Sequence, residues 1–297
     1  MEVSHRNHNG FPPTVCIELL KWCNLACPYC RSASSMRDHR RLEYDAVASL
    51  LKGLSHYGMW RVALTGGEPS FWRELPQLLG LLAEIGFPFS VTTNGLSARR
   101  VLEEVSPRVW ANGTLYVSID GNRVVHDSMR GGGTFDATVE FLRWARPRVP
   151  RLFVGTVLVA DLKAYVVDVA RILVDVGVDN WTLISPVNSG RGSEFLSRMP
   201  PSREFDTLVA IARSTLASMR ARTTVTFLDF AEADGKYHAA VYVSADGTIT
   251  HPGTIASGSA VSKKSPASVT TDLGSPTAAQ DVYSSVARCV RAGSPML

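Results

Sequence analysis

Short β-type apolar runs alternate with helix-type segments over the first two thirds of the chain, and this alternation limits the architecture more than any other feature. Residues 14–20, 60–65, 88–93, 114–119, 152–159 and 180–185 read as strands. Helical patterns fall between them at 44–56, 72–85, 98–105, 135–145 and 162–176. Six βα units with near-continuous apolar strands ask for an α/β fold, a parallel sheet covered by helices. In such sheets reactive residues gather at the C-terminal ends of the strands.

Four motifs occupy those ends. Cys23-Asn24-Leu25-Ala26-Cys27-Pro28-Tyr29-Cys30 follows the first strand and Gly66-Gly67-Glu68-Pro69 the second, while Thr92-Thr93-Asn94-Gly95 ends the third and Ser118-Ile119-Asp120-Gly121 the fourth. Their co-location favours one shared site at the top of a barrel over four unrelated turns.

Three thiolates in eight residues supply soft ligands to one metal centre and leave a fourth position unfilled by cysteine. A structural zinc site would need His39 as its fourth ligand. A redox disulfide across Cys-Pro-Tyr-Cys leaves a third thiol unexplained, and three buried, unliganded cysteines are the remaining alternative. An iron-sulfur cubane fits better, because each thiolate binds a separate iron and the fourth iron stays open to an exogenous ligand. Cys16 and Cys289 bring the total to five, an odd number that argues against a disulfide framework.

The other motifs offer polar groups. Two glycines let the backbone approach a ligand and expose its amides and carbonyls, and Glu68 accepts from an ammonium group; alone, the motif is a turn. Asn94 and Asp120 suit a ribose or an amino-acid head, or make ordinary Asx turns, and Ser118 shares a strand face with Asp120.

Composition sets the outer bounds. At 297 residues, 45% hydrophobic and 20% charged, the chain has room for one core and a small appendage, placed at 12–200 and 201–297. The net charge of +4 comes from dispersed arginines, with only short pairs such as Arg40-Arg41 and Arg99-Arg100, so no nucleic-acid partner is expected. No window approaches eighteen apolar residues and residues 1–10 lack a signal-peptide core, so a cytoplasmic location without membrane contact is expected.

Together, C-N-L-A-C-P-Y-C and G-G-E-P one βα unit later resemble the radical S-adenosylmethionine superfamily, over roughly residues 14–191. The resemblance implies a partial (β/α)6 TIM-like barrel with one [4Fe-4S] cluster and S-adenosyl-L-methionine chelating the unique iron. An external one-electron reductant such as flavodoxin or ferredoxin then drives release of methionine and a 5′-deoxyadenosyl radical, which abstracts hydrogen from an unactivated carbon. By that resemblance Cys23, Cys27 and Cys30 ligate three irons, and Glu68 with the Gly66-Gly67 backbone holds the methionyl ammonium. Ser118 and Asp120 lie near the ribose or methionyl carboxylate, with Asn94 in the same cofactor set. Tyr29, Val157 and Leu183, with the following Ile184-Ser185-Pro186, flank the adenine. Asn188 and Arg191 contact cofactor or substrate, or form a surface turn.

Beyond residue 200 a helix is expected over 202–219, a strand over 223–227 and a hairpin over 237–249 turning at Asp246-Gly247. That hairpin is similar to the one opening the auxiliary-cluster extensions of many members, usually completed by proline and cysteine. Here the run is Thr250-His251-Pro252-Gly253, and with only Cys289 downstream a second cluster lacks ligands. Residues 256–280, rich in Ser, Ala, Thr and Pro, read as a flexible connection or lid.

With neither a leader-binding nor a cobalamin-type segment ahead of the barrel, a small molecule is favoured. The expected substrate is a sugar-, aminoglycoside- or nucleoside-like intermediate epimerised or dehydrogenated at a carbinol carbon. Cys16 and Cys289 are candidate hydrogen donors and Glu18 a candidate base, with Lys21, Asp161 and His251 as further polar candidates. A peptide maturase, a carbon-carbon bond-forming or decarboxylating enzyme, and a zinc-stabilised binding domain are the alternatives.

Overall fold

A computed structural model describes residues 14–56, 61–158, 162–186, 189–195, 200–228, 240–250 and 269–270. Strand β1 (Thr14–Glu18) leads through the cysteine loop to α1 (Tyr44–His56), and β2 (Arg61–Thr65) through a 3-10 turn at Pro69–Phe71 to α2 (Leu75–Glu84). Next come β3 (Phe89–Thr93), α3 (Ala98–Glu103) and a second 3-10 turn at Pro107–Asn112, then β4 (Gly113–Ser118), α4 (Arg123–Arg130) and α5 (Thr134–Ala145). β5 (Leu152–Val157) and α6 (Leu162–Val176) precede β6 (Asn180–Ile184), the one-turn α7 (Gly192–Phe195) and α8 (Ser202–Ser218). β7 (Thr224–Leu228), β8 (Ala240–Val243), β9 (Thr248–Thr250) and β10 (Val269–Thr270) follow.

The ten strands make one open sheet in the order β10-β9-β8-β1-β2-β3-β4-β5-β6-β7. The eight from β8 to β7 run parallel, and β9 and β10 extend the β8 edge antiparallel. This is the expected α/β partial-barrel architecture, with no closure of the sheet among the described residues. Past residue 200 the chain adds strands to both flanks: β7 beside β6, and β8 beside β1.

Strand alternation separates the two faces chemically. The row Ile17, Leu64, Val91, Leu115, Leu152 runs in register across five strands, and each of these side chains is no more than 2% exposed. Burying each contributes about 1.5–3 kcal/mol. The opposite face is polar: Ser118, Gly155, Thr182 and Thr226 form one row, and Tyr242, Cys16, Ala63 and Ser90 another. The sheet therefore presents hydroxyls and a thiol on the face opposite its core.

Several boundaries differ from the sequence expectation for identifiable reasons. A helix begun at Trp72 would place Pro76 in its interior, where the missing N–H breaks the ladder; α2 instead starts at Leu75, with Pro76 in its first turn. α4 stands between the fourth strand and the 135–145 helix, where no element was expected. Asn122 starts it by accepting from the Val125 amide at 3.2 Å, and Gly131, at φ 121°, stops it. The hairpin turns as expected at Asp246-Gly247, with the Gly247 amide on the Ser244 carbonyl at 2.9 Å. Its parallel pairing with β1 is a long-range contact that no local pattern encodes.

Asp161, Asn188, His251 and Cys289, with nearly all of 256–280, lie outside the described residues. Among the described residues no helix is long and apolar enough to cross a membrane.

Candidate cluster and cofactor site

The cysteine loop leaves β1 and folds back on itself: Leu20 bridges Arg41, and Trp22 bridges Ser35. Within it the Cys30 amide donates to the Cys27 carbonyl at 3.2 Å, and the Leu25 amide to the Cys23 sulfur at 3.4 Å. Cys23, Cys27 and Cys30 are free and partly buried. Burial pushes the Cys23 thiol up to about 12 against the opposing Leu25 amide, and raises Cys27 against the pull of Arg130. Both shifts favour the protonated thiols of Cys23 and Cys27 at neutral pH without metal, so their binding to a metal centre releases protons.

Gly66-Gly67-Glu68 prolongs β2 directly against this loop. The Gly67 amide donates to the Leu20 carbonyl at 2.6 Å and the Glu68 amide to that of Trp22 at 2.9 Å. A Cβ on Gly67 would stand 1.9 Å from the Trp22 carbonyl oxygen, and one on Gly66 2.7 Å from that of Leu20. The two glycines are thus required first by the approach of the two loops. Glu68 is buried, and its carboxylate accepts from the Thr93 hydroxyl at 2.7 Å and from the amides of Asn94 and Ser70 at 2.8 and 3.2 Å. Burial raises its pKa, and those donors work the other way. Asn94 in turn donates to the Asn24 side chain inside the cysteine loop at 2.9 Å. The loops after β1, β2 and β3 are one hydrogen-bonded unit.

Asp120, just beyond β4, is fully buried in a second network. The Tyr29 hydroxyl and both arms of Arg130 donate to its carboxylate, the latter at 2.6 and 3.3 Å, and the Val157 amide adds a bond at 3.2 Å. Burial opposes ionisation, yet Arg130, His126 and Tyr29 outweigh it and hold the carboxyl below its usual range. His126 accepts from the Asp120 amide at 3.4 Å, and burial lowers its pKa to about 4. Arg130 and His126 were missed by the sequence reading. The available signal was their i,i+4 spacing on one face of α4, which passed unnoticed with the helix itself.

The remaining candidates separate. Ser118 is half-buried on the polar face beside Gly155, and Val157 reaches the site through its backbone. Leu183 does not face it: the side chain is fully buried on the covered face, in register with Thr156 and Phe227, and Ile184 takes the open side. Glu18 is committed to Lys21 at 2.8 Å and to the Ala245 amide at 3.2 Å, so its carboxylate joins β1 to the hairpin turn rather than standing free as a base. Cys16 is a free thiol on the polar face beside Tyr242, whose ring carries the Arg31 guanidinium 3.4 Å from its centroid. Arg191 turns toward the cysteine loop, donating to the carbonyls of Cys27 and Ser34, each at 2.9 Å.

These residues fit a [4Fe-4S] cluster. Three free thiols share one short loop, and the wall against it lacks side chains because glycine alone fits there. Among the described residues no three His, Cys, Asp or Glu side chains gather round a single ion; a cubane takes each thiolate at a separate iron, so its ligands need not converge on one point.

The comparisons agree with this chemistry. SuiB of Streptococcus suis, solved with bound S-adenosylmethionine, shares the fold with a TM-score of 0.66 at 16% identity, over 80% of this chain and 60% of that one. The mycofactocin maturase MftC of Mycolicibacterium smegmatis is 33% identical over 140 residues, 45% of this chain and 34% of its own length. An Fe-coproporphyrin III synthase of Methanosarcina barkeri is 31% identical over 134 residues, 44% and 33% of the two chains. The chain thus spans about a third of the length of these curated relatives. The Radical SAM superfamily model matches residues 17–173, more than half of the chain. With that match laid over the cysteine loop and its glycine wall, the chain belongs to the radical SAM superfamily, whose members use a [4Fe-4S] cluster and S-adenosylmethionine.

Proposed function

We propose that the protein reductively cleaves S-adenosylmethionine and abstracts a hydrogen atom from a carbon of a peptide substrate. The observation that carries the first step is the Asn24–Asn94–Glu68 linkage, which fixes the cysteine loop against the glycine motif. When bound, the reduced cluster and S-adenosylmethionine supply the 5′-deoxyadenosyl radical.

Cys23, Cys27 and Cys30 would hold three irons. Glu68 already accepts three hydrogen bonds, so it braces Thr93 and Asn94 while the backbone at Gly66-Gly67 receives the methionyl ammonium. Ser118 and the Asp120–Arg130 pair are assigned to the ribose and methionyl carboxylate. Tyr29, edge-on to Phe195 with centroids 5.5 Å apart, flanks the adenine. Radical SAM enzymes need a reductant, and a flavodoxin or ferredoxin is the proposed donor.

The peptide reading is supported by MftC, by the sporulation killing factor maturation protein SkfB of Bacillus subtilis, and by SuiB, solved also with its precursor peptide. A second reading, a small hydroxylated molecule epimerised or oxidised at a carbinol carbon, is favoured by the hydroxyls of Tyr116, Ser118 and Thr182 on the polar face. For epimerisation, Cys16 would return hydrogen to the substrate radical; oxidation would instead remove an electron and a proton from it.

Anaerobic reconstitution is expected to load about four irons per chain, and addition of dithionite and S-adenosylmethionine to yield 5′-deoxyadenosine. Stoichiometric zinc without cleavage overturns the proposal. Deuterium transferred into 5′-deoxyadenosine from labelled peptides, or instead from labelled aminoglycosides and nucleosides, decides between the substrate readings.

A further inference from the structure

The loop after β6 lies as a strap against the cysteine loop. Gly190, at φ +58°, passes so close that a Cβ would stand 2.2 Å from the Arg31 carbonyl oxygen and 2.5 Å from that of Cys30. The Arg191 amide donates to the Cys30 carbonyl at 3.0 Å, its Nε to Cys27 and its Nη1 to Ser34, both at 2.9 Å. Two bonds from one guanidinium fix its plane, and with it the direction of the third nitrogen. That nitrogen, Nη2, is buried and has no partner among the described residues, and the Ser34 hydroxyl is in the same condition. A buried cationic donor left unsatisfied carries its desolvation penalty uncompensated, so its retention points to a missing acceptor.

The charge balance points the same way. Two guanidiniums border the cysteine loop: Arg130 lies 5.7 Å from the Tyr29 ring centroid, and Arg191 binds the Cys27 carbonyl. Arg130 is neutralised by its two-armed pairing with Asp120. The Arg191 side-chain bonds given above all end on neutral carbonyls, so its positive charge is left facing the loop.

We propose that Arg191 is a positioning and tuning residue for the cluster, donating Nη2–H to a sulfur at the Cys27 corner and thereby raising the cluster's reduction potential. A donor and a positive charge next to the sulfurs favour the reduced cluster, which carries one more negative charge. The inference rests on the radical SAM reading, and its test does not require the substrate.

The test is potentiometry followed by electron paramagnetic resonance on anaerobically reconstituted wild type, Arg191→Gln and Arg191→Lys, with iron content and thermal midpoint measured beside it. Gln keeps a donor without the charge; Lys keeps the charge without the fork. At a fixed ambient potential the reduced-to-oxidised ratio in Arg191→Gln is expected to fall about tenfold, a shift of about 59 mV for one electron. Arg191→Lys should hold most of the wild-type potential while loading less iron. If both variants lose iron or thermal stability but the retained cluster keeps its wild-type potential, Arg191 is only a strap and the inference is overturned. A wild type that takes up no cluster defeats the radical SAM reading itself, a separate outcome.

Discussion

Gly67 shows how little freedom a single residue has at this site. A methyl group there would collide with backbone, not with the movable end of a side chain, so the cysteine loop must shift to admit it. Gly67→Ala is expected to cost about 3 kcal/mol in urea unfolding, as overpacking does, and to lose most of its iron on gel filtration. Full iron retention would show that the wall and the loop are independent.

His126 sets a pH dependence of known sign. Its folded-state pKa of about 4 lies below its ordinary 6.5, so the unfolded chain binds more protons between those values, and stability falls as pH drops through that window. Between pH 7 and pH 5 the loss should be about 2 kcal/mol. His126→Gln should remove that slope, and equal slopes for the two proteins would refute the assignment. The three cysteines and the G-G-E-P motif were legible in the sequence because their chemistry is written in adjacent residues. The Asp120–Arg130–His126 network was not, because it exists only once α4 folds Arg130 and His126 back over the end of β4.

Among the elements, the strands and the long helices follow from periodicity, which survives in sequence because each has one face against the core. α4 has few buried apolar positions, and α7 is a single turn; packing rather than propensity places them. The hairpin between β8 and β9 is a subtler case. Asp246-Gly247 marks its turn, but Glu18 binds both Lys21 and the Ala245 amide, so the turn is anchored to the end of β1. Glu18→Ala leaves the partly buried Lys21 without its carboxylate, though still bonded to the Ser32 carbonyl at 3.0 Å, and losing the pair should cost about 1–3 kcal/mol. Its thermal midpoint should drop markedly, while the cluster that remains should still support 5′-deoxyadenosine formation with dithionite. Unchanged stability with abolished substrate turnover would instead return Glu18 to the role of a catalytic base.

At the scale of the whole molecule, the strand carrying the cysteine loop is interior to the sheet only because β8 covers its other edge. β1 pairs with β2 on one side through Thr14–Glu18 and with β8 on the other through Thr14–Ile17, so a segment more than 220 residues downstream completes the neighbourhood of the first strand. That pairing closes a long loop, and its geometry is invisible to any local reading. It also places Tyr242 beside Cys16 and brings the Tyr242 ring under Arg31, the residue after Cys30. Ending the chain after Leu228 would leave β1 as an edge strand with unpaired amides and carbonyls, a template for association with other chains. Such a truncation should self-associate in analytical ultracentrifugation, expose Cys16 to alkylation several-fold faster than in the full chain, and retain less iron after reconstitution. A monomeric truncation with full iron content and a protected Cys16 would mean that residues 14–228 hold the cluster site without their partner strand.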